Sequence, residues 1–124
     1  MNGLDRELYT KKTGNQILAE YEQERELRER DIEKHLVKRV KELGGEVRKV
    51  QWIGRRGAPD RLVMLPAIRF GGGTTTPAET IWVELKAPGV APEPYQVREH
   101  ERMRKLGQRV EVIDSIEGVE SLLS

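Results

Sequence analysis

The sequence of 124 residues contains no cysteine, a single phenylalanine and no long apolar run. The absence of cysteine excludes disulfides, thiolate zinc sites and cysteine nucleophiles. No segment approaches the roughly 20 apolar residues of a membrane helix, and the first residues lack the apolar centre of a signal peptide. We therefore expect a soluble protein of the bacterial cytoplasm, or of the host cytoplasm if the protein is viral, with no membrane contact.

Charge is abundant but balanced. Charged residues make up 35% of the chain, yet the formal net charge is only +1. Bulk charge thus gives no argument for nucleic acid, and only its distribution can. From Gln16 to Glu33 the chain alternates Glu and Arg with few apolar side chains, and residues 1–30 are predicted to form a charged arm that is partly helical or flexible. Residues 31–124 are predicted to form one domain.

Hydrophobic spacing predicts the elements of that domain. They are a helix over 31–43, strands over 47–53, 61–65 and 80–87, a helix over 95–106, a strand over 109–113 and a helix over 116–123. The order predicts an α/β fold, a mixed four-stranded sheet flanked by helices. The Gly- and Thr-rich segment 70–77 is predicted to be a flexible hairpin connection. It lacks the Gly-Lys-Ser/Thr ending of a phosphate-binding loop.

Two carboxylates stand out on the predicted strands. Glu84 and Lys86 alternate with Ile81, Val83 and Leu85, so both polar side chains point to one face. A surface ion pair would give the same pattern. Asp60 follows Pro59 at the start of a strand, where an ordinary turn residue is also common. A hairpin between these strands would bring Asp60 near Glu84.

Helical geometry adds two inward polar side chains. At about 100° per residue, Glu33 falls inside the arc of Ile32, Leu36 and Val40, and Gln96 falls with the apolar residues of the next helix. A carboxylate in that arc is costly unless it is paired, neutralised or bound to a cation. The alternative is that Glu33 lies near the sheet edge and reaches water. Glu99 is inward by the same count, and an arginine partner is expected.

An oxygen donor set suited to Mg²⁺ or Mn²⁺ is available from the backbone carbonyl of Leu85 and three carboxylates, those of Glu33, Asp60 and Glu84. Such a cation can polarise a phosphodiester and lower the pKa of a bound water. Lys86 would orient that water and offset the phosphate charge.

The basic residues cluster near these positions. Residues 34–61 hold nine Lys or Arg against three acids, a local net charge of +6. A solvated surface explains any one of them, but as a group they are candidate phosphate contacts. The candidate nucleic-acid-binding residues are Lys34, Lys38, Arg55, Arg56 and Arg61. Trp52 and Trp82 are expected in the core, and His35 and His100 at the surface.

These motifs together resemble a known family. Gly57-Ala58-Pro59-Asp60, followed by Val83-Glu84-Leu85-Lys86, is similar to the PD-(D/E)xK nuclease signature. Glu33 on the first helix, the Pro-Gly turn after Lys86, Gln96 opening the next helix and Leu106-Gly107 before a strand narrow the resemblance to the VRR-Nuc family. The resemblance covers roughly residues 31–124 and implies a restriction-endonuclease-like core.

The resemblance also implies an activity. It implies Mg²⁺- or Mn²⁺-dependent hydrolysis of DNA, with Asp60 and Glu84 as principal metal ligands, Glu33 as a further ligand, Lys86 as the catalytic lysine and Gln96 in support. Stand-alone members of the family resemble phage or bacterial homodimers that act on branched DNA, so a four-way (Holliday) junction resolvase is expected. No small-molecule cofactor is expected. The alternatives are a general or nicking endonuclease without junction preference and an inactive nucleic-acid-binding protein.

Overall fold

A computed structural model describes residues 12–124, without the side chains of residues 23–27. The elements are α1 (Gly14–Glu42), β1 (Glu46–Lys49), β2 (Arg61–Leu65), β3 (Ile68–Arg69), β4 (Thr75–Thr76), β5 (Glu79–Leu85), α2 (Pro94–Lys105), β6 (Val110–Ile113) and α3 (Ile116–Leu123). Within the described residues, no helix is both long and apolar enough to cross a membrane.

Helix α1 is longer than the sequence pattern predicts. Thr13 caps it, because its hydroxyl accepts from the Gln16 N–H at 3.3 Å while the Gln16 side chain accepts from the Thr13 N–H at 2.9 Å. The helix then continues through residues 30 and 31 without a break. The division between a charged arm and a domain at this point remains a prediction, and residues 1–11 of the arm lie outside the described residues.

The end of α1 packs tightly on the sheet. A Cβ on Gly45 would lie 2.3 Å from the backbone oxygen of Met64 on β2. Only glycine leaves room for this approach of two backbones. Gly45, just beyond the end of α1, therefore sets how closely the helix end approaches the sheet.

The main sheet has the order β1-β2-β5-β6, with antiparallel pairs except for the parallel pair β5–β6. This mixed four-stranded sheet, flanked by helices, confirms the predicted fold class. Strand β1 ends four residues before the predicted limit, and Ile53 beyond it is almost fully exposed. The segment between β2 and β5 contains the short hairpin β3–β4.

The apolar core lies between the sheet and helices α1 and α3. Ile32, Leu36 and Val40 of α1 face the strand residues Val63 and Ile81. Val119 and Leu122 of α3 close the same core, also with Val83, Leu85 and Ile113. Alternation along β5 therefore directs Ile81, Val83 and Leu85 to this core and leaves Glu84 for the opposite face.

We expect Ile81→Ala to lower the free energy of unfolding by about 2–4 kcal/mol, because Ile81 is completely buried and its removal leaves a cavity. Urea denaturation followed by circular dichroism measures the change. Ile53→Ala is the matched control, since Ile53 is 97% exposed, and should change stability by less than about 0.5 kcal/mol. Equal losses in the two variants would contradict this placement of the core.

Candidate active site

The β2–β5 ladder brings Asp60 and Glu84 together at its end. Arg61 pairs with Val83 in this antiparallel ladder, so the same register places Asp60 opposite Glu84. The backbone oxygen of Asp60 accepts from the Val50 N–H at 2.9 Å, which holds the residue against β1 as well. The expected hairpin between these two strands therefore delivers both carboxylates to one place.

Glu84 is the most constrained acid of this pair. It is only 8% exposed, and its burial, together with the neighbouring charge of Asp60, raises the pKa of Glu84 to about 7. Lys86 opposes the shift, with its Nζ atom 3.8 Å from Glu84 Oε1. The site thus holds a carboxyl group that gains its charge only at a cost, which a bound cation would remove.

Gln96 orients Glu84 from the first turn of α2. Its Nε2 atom donates to Glu84 Oε1 at 2.6 Å, and its Oε1 atom accepts from the Glu93 N–H at 2.8 Å. Because the backbone N–H can only donate, the amide has one orientation, with its NH₂ group toward Glu84. The predicted supporting residue therefore contacts the predicted site directly.

The loop before Asp60 is shaped by packing on α2. Gly57 has φ +89°, and a Cβ there would lie 2.9 Å from the Tyr95 backbone oxygen. Pro59 is fully buried, and its backbone oxygen accepts from Trp52 Nε1 at 2.8 Å. Glycine permits the approach, and proline limits the backbone freedom next to Asp60. The loop is therefore rigid where it delivers the carboxylate.

A cleft of about 420 Å³ opens at this end of the sheet. Its lining includes four residues that the sequence predicts for the active site, namely Asp60, Glu84, Leu85 and Lys86. Two further carboxylates, Glu22 and Glu29 of α1, line it as well, and Glu29 adds to the upward shift in the pKa of Glu84. Among the side chains that the structure describes, the lining of this acidic cleft thus has four carboxylates against the two cations Arg61 and Lys86.

Glu33 occupies a different position from the other predicted acids. Its Oε1 atom lies 3.2 Å from Arg61 Nη2 and 3.7 Å from Lys49 Nζ, and it does not line the acidic cleft. Arg61 in turn pairs with Asp60, with 3.0 Å between Nη1 and Oδ1. Glu33 is therefore connected to Asp60 through Arg61.

The helical count that selected Glu33 could also have found the cleft acids of α1. With Ile32 at 0°, Glu29 falls at about 60° and Glu22 at about 80°, inside the same arc. Both were missed because the helix was predicted to begin at residue 31, whereas it begins at Gly14.

The donor set fits a hard divalent cation. No three Asp, Glu or His side chains converge on one point among the side chains that the structure describes. Mg²⁺, however, keeps several waters and is usually held by only one or two carboxylates. Buried Glu84, Asp60 opposite it and the Leu85 carbonyl are suitable oxygen donors, and the raised pKa of Glu84 indicates an uncompensated charge.

The predicted basic residues divide into two groups. Arg55, Arg56 and Arg61 lie in or beside the loop that carries Asp60, and the Arg56 guanidinium stacks over the Tyr95 ring at 3.8 Å. Lys34 and Lys38 are exposed on α1 and do not line the acidic cleft. Only the first group therefore stands close to the candidate chemistry.

Two expectations about ring side chains are wrong. His100 is not at the surface but fully buried on α2, where burial, and then Arg104, lower its pKa. Trp52 is not in the core: it is 36% exposed and packs against Trp82 with 5.1 Å between ring centroids. Local alternation does not show either outcome, because Trp52 lies in the loop beyond β1 and His100, although on α2, is covered by the Gly57 backbone of the same loop.

Comparison with known proteins identifies relatives of this chain, although no protein-family model matches the sequence. A phage protein described as "Putative nuclease p44", from Acyrthosiphon pisum secondary endosymbiont phage 1, is 50% identical over 89 residues. The match spans 72% of this chain and 85% of p44. A solved structure named "VRR_NUC domain" is 40% identical with a TM-score of 0.62, covering 77% of this chain and 94% of that one.

We expect Glu84→Gln to stabilise the metal-free protein at pH 8 by about 1–3 kcal/mol. In the folded protein Glu84 keeps its proton up to about pH 7, whereas its usual pKa is 4.5. Folding therefore becomes less favourable as the pH rises between these values, and glutamine removes this loss. Urea denaturation in EDTA at several pH values measures the effect.

The difference between the two proteins should shrink as the pH falls toward 4.5. Glu101→Gln, at an exposed position of α2, serves as the control for loss of one negative charge. A Glu84→Gln variant that is less stable than the wild type at pH 8 would contradict the buried, uncompensated carboxylate.

Proposed function

This chain belongs to the VRR-Nuc family of nucleases, and on that premise we propose that it is a DNA endonuclease dependent on Mg²⁺ or Mn²⁺. The observation that carries the proposal is the pair of opposed carboxylates, Asp60 and Glu84, beside Lys86 in one open cleft. Burial and the charge of Asp60 make ionised Glu84 unfavourable without a cation.

Asp60, Glu84 and the backbone oxygen of Leu85 would hold the ion. A bound Mg²⁺ or Mn²⁺ would supply Lewis acidity toward a phosphodiester and its attacking water. Gln96 keeps Glu84 in place through the hydrogen bond of 2.6 Å, so the carboxylate cannot turn away from the cleft. Arg61, paired with Asp60, performs the same task on the other strand.

Lys86 is the group proposed to act on the attacking water. It is mostly buried, and its ammonium lies close to Glu84 but without a hydrogen bond to it. Its N–H groups are therefore available to orient a water molecule and to offset the charge of the phosphate. The Lys86 backbone N–H donates to the Ile113 oxygen at 2.9 Å, which fixes the residue to β6.

Two residues of α1 are candidates for a third carboxylate ligand of the ion. The sequence pattern favours Glu33 as a further ligand, directly or through water, whereas the lining of the cleft favours Glu29. Glu33 already has Arg61 and Lys49 as partners. We therefore assign Glu29 the place nearer the ion and Glu33 the task of fixing Arg61.

We expect cleavage of a labelled DNA substrate with Mg²⁺ or Mn²⁺ and none with EDTA. Asp60→Asn and Lys86→Met should each lower the rate by about 100-fold or more, because each removes a group needed at the reacting phosphate. Single-turnover cleavage on denaturing gels measures the rates. Lys105→Met, at an exposed position of α2, is the charge-matched control for Lys86→Met.

Two variants separate the roles of the α1 acids. Glu29→Gln should raise the Mn²⁺ concentration needed for half-maximal cleavage, whereas Glu33→Gln should lower the rate at saturating Mn²⁺. The reverse pattern would make Glu33 the ligand. Retained cleavage by Asp60→Asn at every metal concentration would contradict the proposed centre, and no cleavage by the wild type would favour a binding protein without activity.

We further propose that the substrate is branched DNA, such as a four-way junction, and that two copies of the chain act together. The resemblance to stand-alone family members supports this. Support also comes from the beginning of α1, where Ile17 and Leu18 are exposed and lie about four helical turns before Ile32, which belongs to the core. Apolar side chains at such a position are available to a second copy.

The wild type should make paired, nearly symmetric nicks in a four-way junction, and should leave linear duplex and single strands largely uncut at the same enzyme concentration. Paired nicks are expected because a symmetric dimer presents two sites to two strands. Labelling each strand in turn locates the nicks, and analytical ultracentrifugation gives the mass of the active species. Equal cleavage of all substrates, or activity from a monomer, would reduce the proposal to a general endonuclease.

A further inference from the structure

A second groove, of about 580 Å³, adjoins the acidic cleft. Asp60 and Arg61 line both hollows, so they form the boundary between them. The other polar or aromatic residues of the second groove are Lys49, Gln51, Trp52 and Arg55. We call this hollow the basic groove, because the described residues of its lining include three cations and a single carboxylate. A strand that entered the acidic cleft could continue directly into it.

Arg55 is held in the basic groove by a buried carboxylate. Its Nε atom donates to Glu99 Oε1 at 2.9 Å, and Glu99 is 5% exposed. The other Glu99 oxygen accepts from Arg102 at 2.9 Å, so this carboxylate is shared by two cations. The expectation that Glu99 pairs with an arginine is thereby confirmed.

This arrangement leaves part of Arg55 free to bind a ligand. The side chain is 46% exposed, and its two terminal nitrogens make no hydrogen bond to any side chain or backbone group that the structure describes. A guanidinium fixed at Nε presents its terminal N–H groups as a fork, which matches the oxygens of a phosphate. The other two cations of the groove differ, since Arg61 is engaged by Asp60 and Glu33 and Lys49 is near Glu33.

Trp52 supplies an aromatic surface in the same groove. Its Nε1 atom is tied to the Pro59 oxygen at 2.8 Å, and its ring packs against Trp82 at an angle of 49°. Both contacts fix the ring, yet the residue remains 36% exposed and lines the groove. A rigid, exposed indole is the side chain on which a nucleobase stacks most readily.

We propose that the basic groove binds an unpaired nucleotide next to the cleavage site, with its base stacked on Trp52 and its phosphate on Arg55. The bases of an intact duplex are already stacked on one another, so only a base that has left the helix can reach the indole. The inference rests on the proposed function in one respect, that the substrate is DNA. It adds a substrate class, DNA with unpaired nucleotides beside the scissile phosphate.

The test measures binding of the full chain in EDTA, where no cleavage can occur. The probes are a 12-nucleotide single strand with 2-aminopurine at its centre and the blunt duplex of the same sequence. Fluorescence anisotropy gives the affinities, and the 2-aminopurine emission reports stacking. The wild type should bind the single strand more tightly than the duplex and should quench its emission.

Trp52→Ala should weaken binding of the single strand by about 5- to 100-fold and abolish the quenching, with little change for the duplex. Trp52→Phe should keep most of the affinity, because phenylalanine retains a ring although it cannot donate to Pro59. Arg55→Ala should weaken binding and reduce its dependence on salt. The control is Arg48→Ala, which removes one positive charge from β1 outside the groove.

Three results would overturn the proposal. The first is wild-type protein that binds the single strand without quenching, and this result does not depend on any variant folding correctly. The second is wild-type affinity in Trp52→Ala. The third is a Trp52→Phe variant as weak as Trp52→Ala, which would limit the indole to holding Pro59. A protein that stacks the base but cleaves nothing with any metal would instead contradict the proposed function alone.

Discussion

The burial of one carboxylate beside another is the constraint on which the site depends. The β2–β5 register sets Asp60 opposite Glu84, and the apolar alternation of β5 fixes which face Glu84 takes. A change of one residue in the strand register would move Val63 or Ile81 out of the core. The fold therefore keeps two carboxylates adjacent, and the raised pKa of Glu84 shows that ionising both is unfavourable. A divalent cation at this position would turn that cost into binding energy.

Helix α2 holds the parts of the site that the sheet does not. Gln96 orients Glu84, and Glu99 holds Arg55, so two successive inward positions of one helix act on the two hollows. Gly57 lets the loop that carries Arg55 approach the Tyr95 backbone closely. The β2–β5 ladder aligns Asp60 with Glu84, and α2 then holds the Glu84 side chain and the loop before β2 through these two contacts.

Much of this was predictable from periodicity, and the failures have physical causes. Strand alternation identified Glu84 and Lys86, and helical spacing identified Gln96, because a regular backbone fixes where side chains point. The same spacing does not select Glu29, since few apolar residues mark the first half of α1. The pattern therefore predicts a helix that begins at residue 31, whereas α1 begins at Gly14. Trp52 was misplaced because β1 ends at Lys49 and the following chain obeys no period. Its position depends on Pro59 and Trp82, contacts between segments that no local pattern encodes.

The near-neutral charge of the chain conceals a separation of charge that suits a polyanionic substrate. Carboxylates line one hollow and cations the next, and Asp60 and Arg61 stand at the boundary. Without a cation, the acidic cleft repels phosphate while the basic groove attracts it, so a strand would be held beside the cleft but not inside it. A bound divalent ion would offset the excess negative charge of the cleft and would make the two hollows one continuous path. Metal binding would then control where the phosphate sits as well as the chemistry applied to it, and this follows from the placement of charge alone.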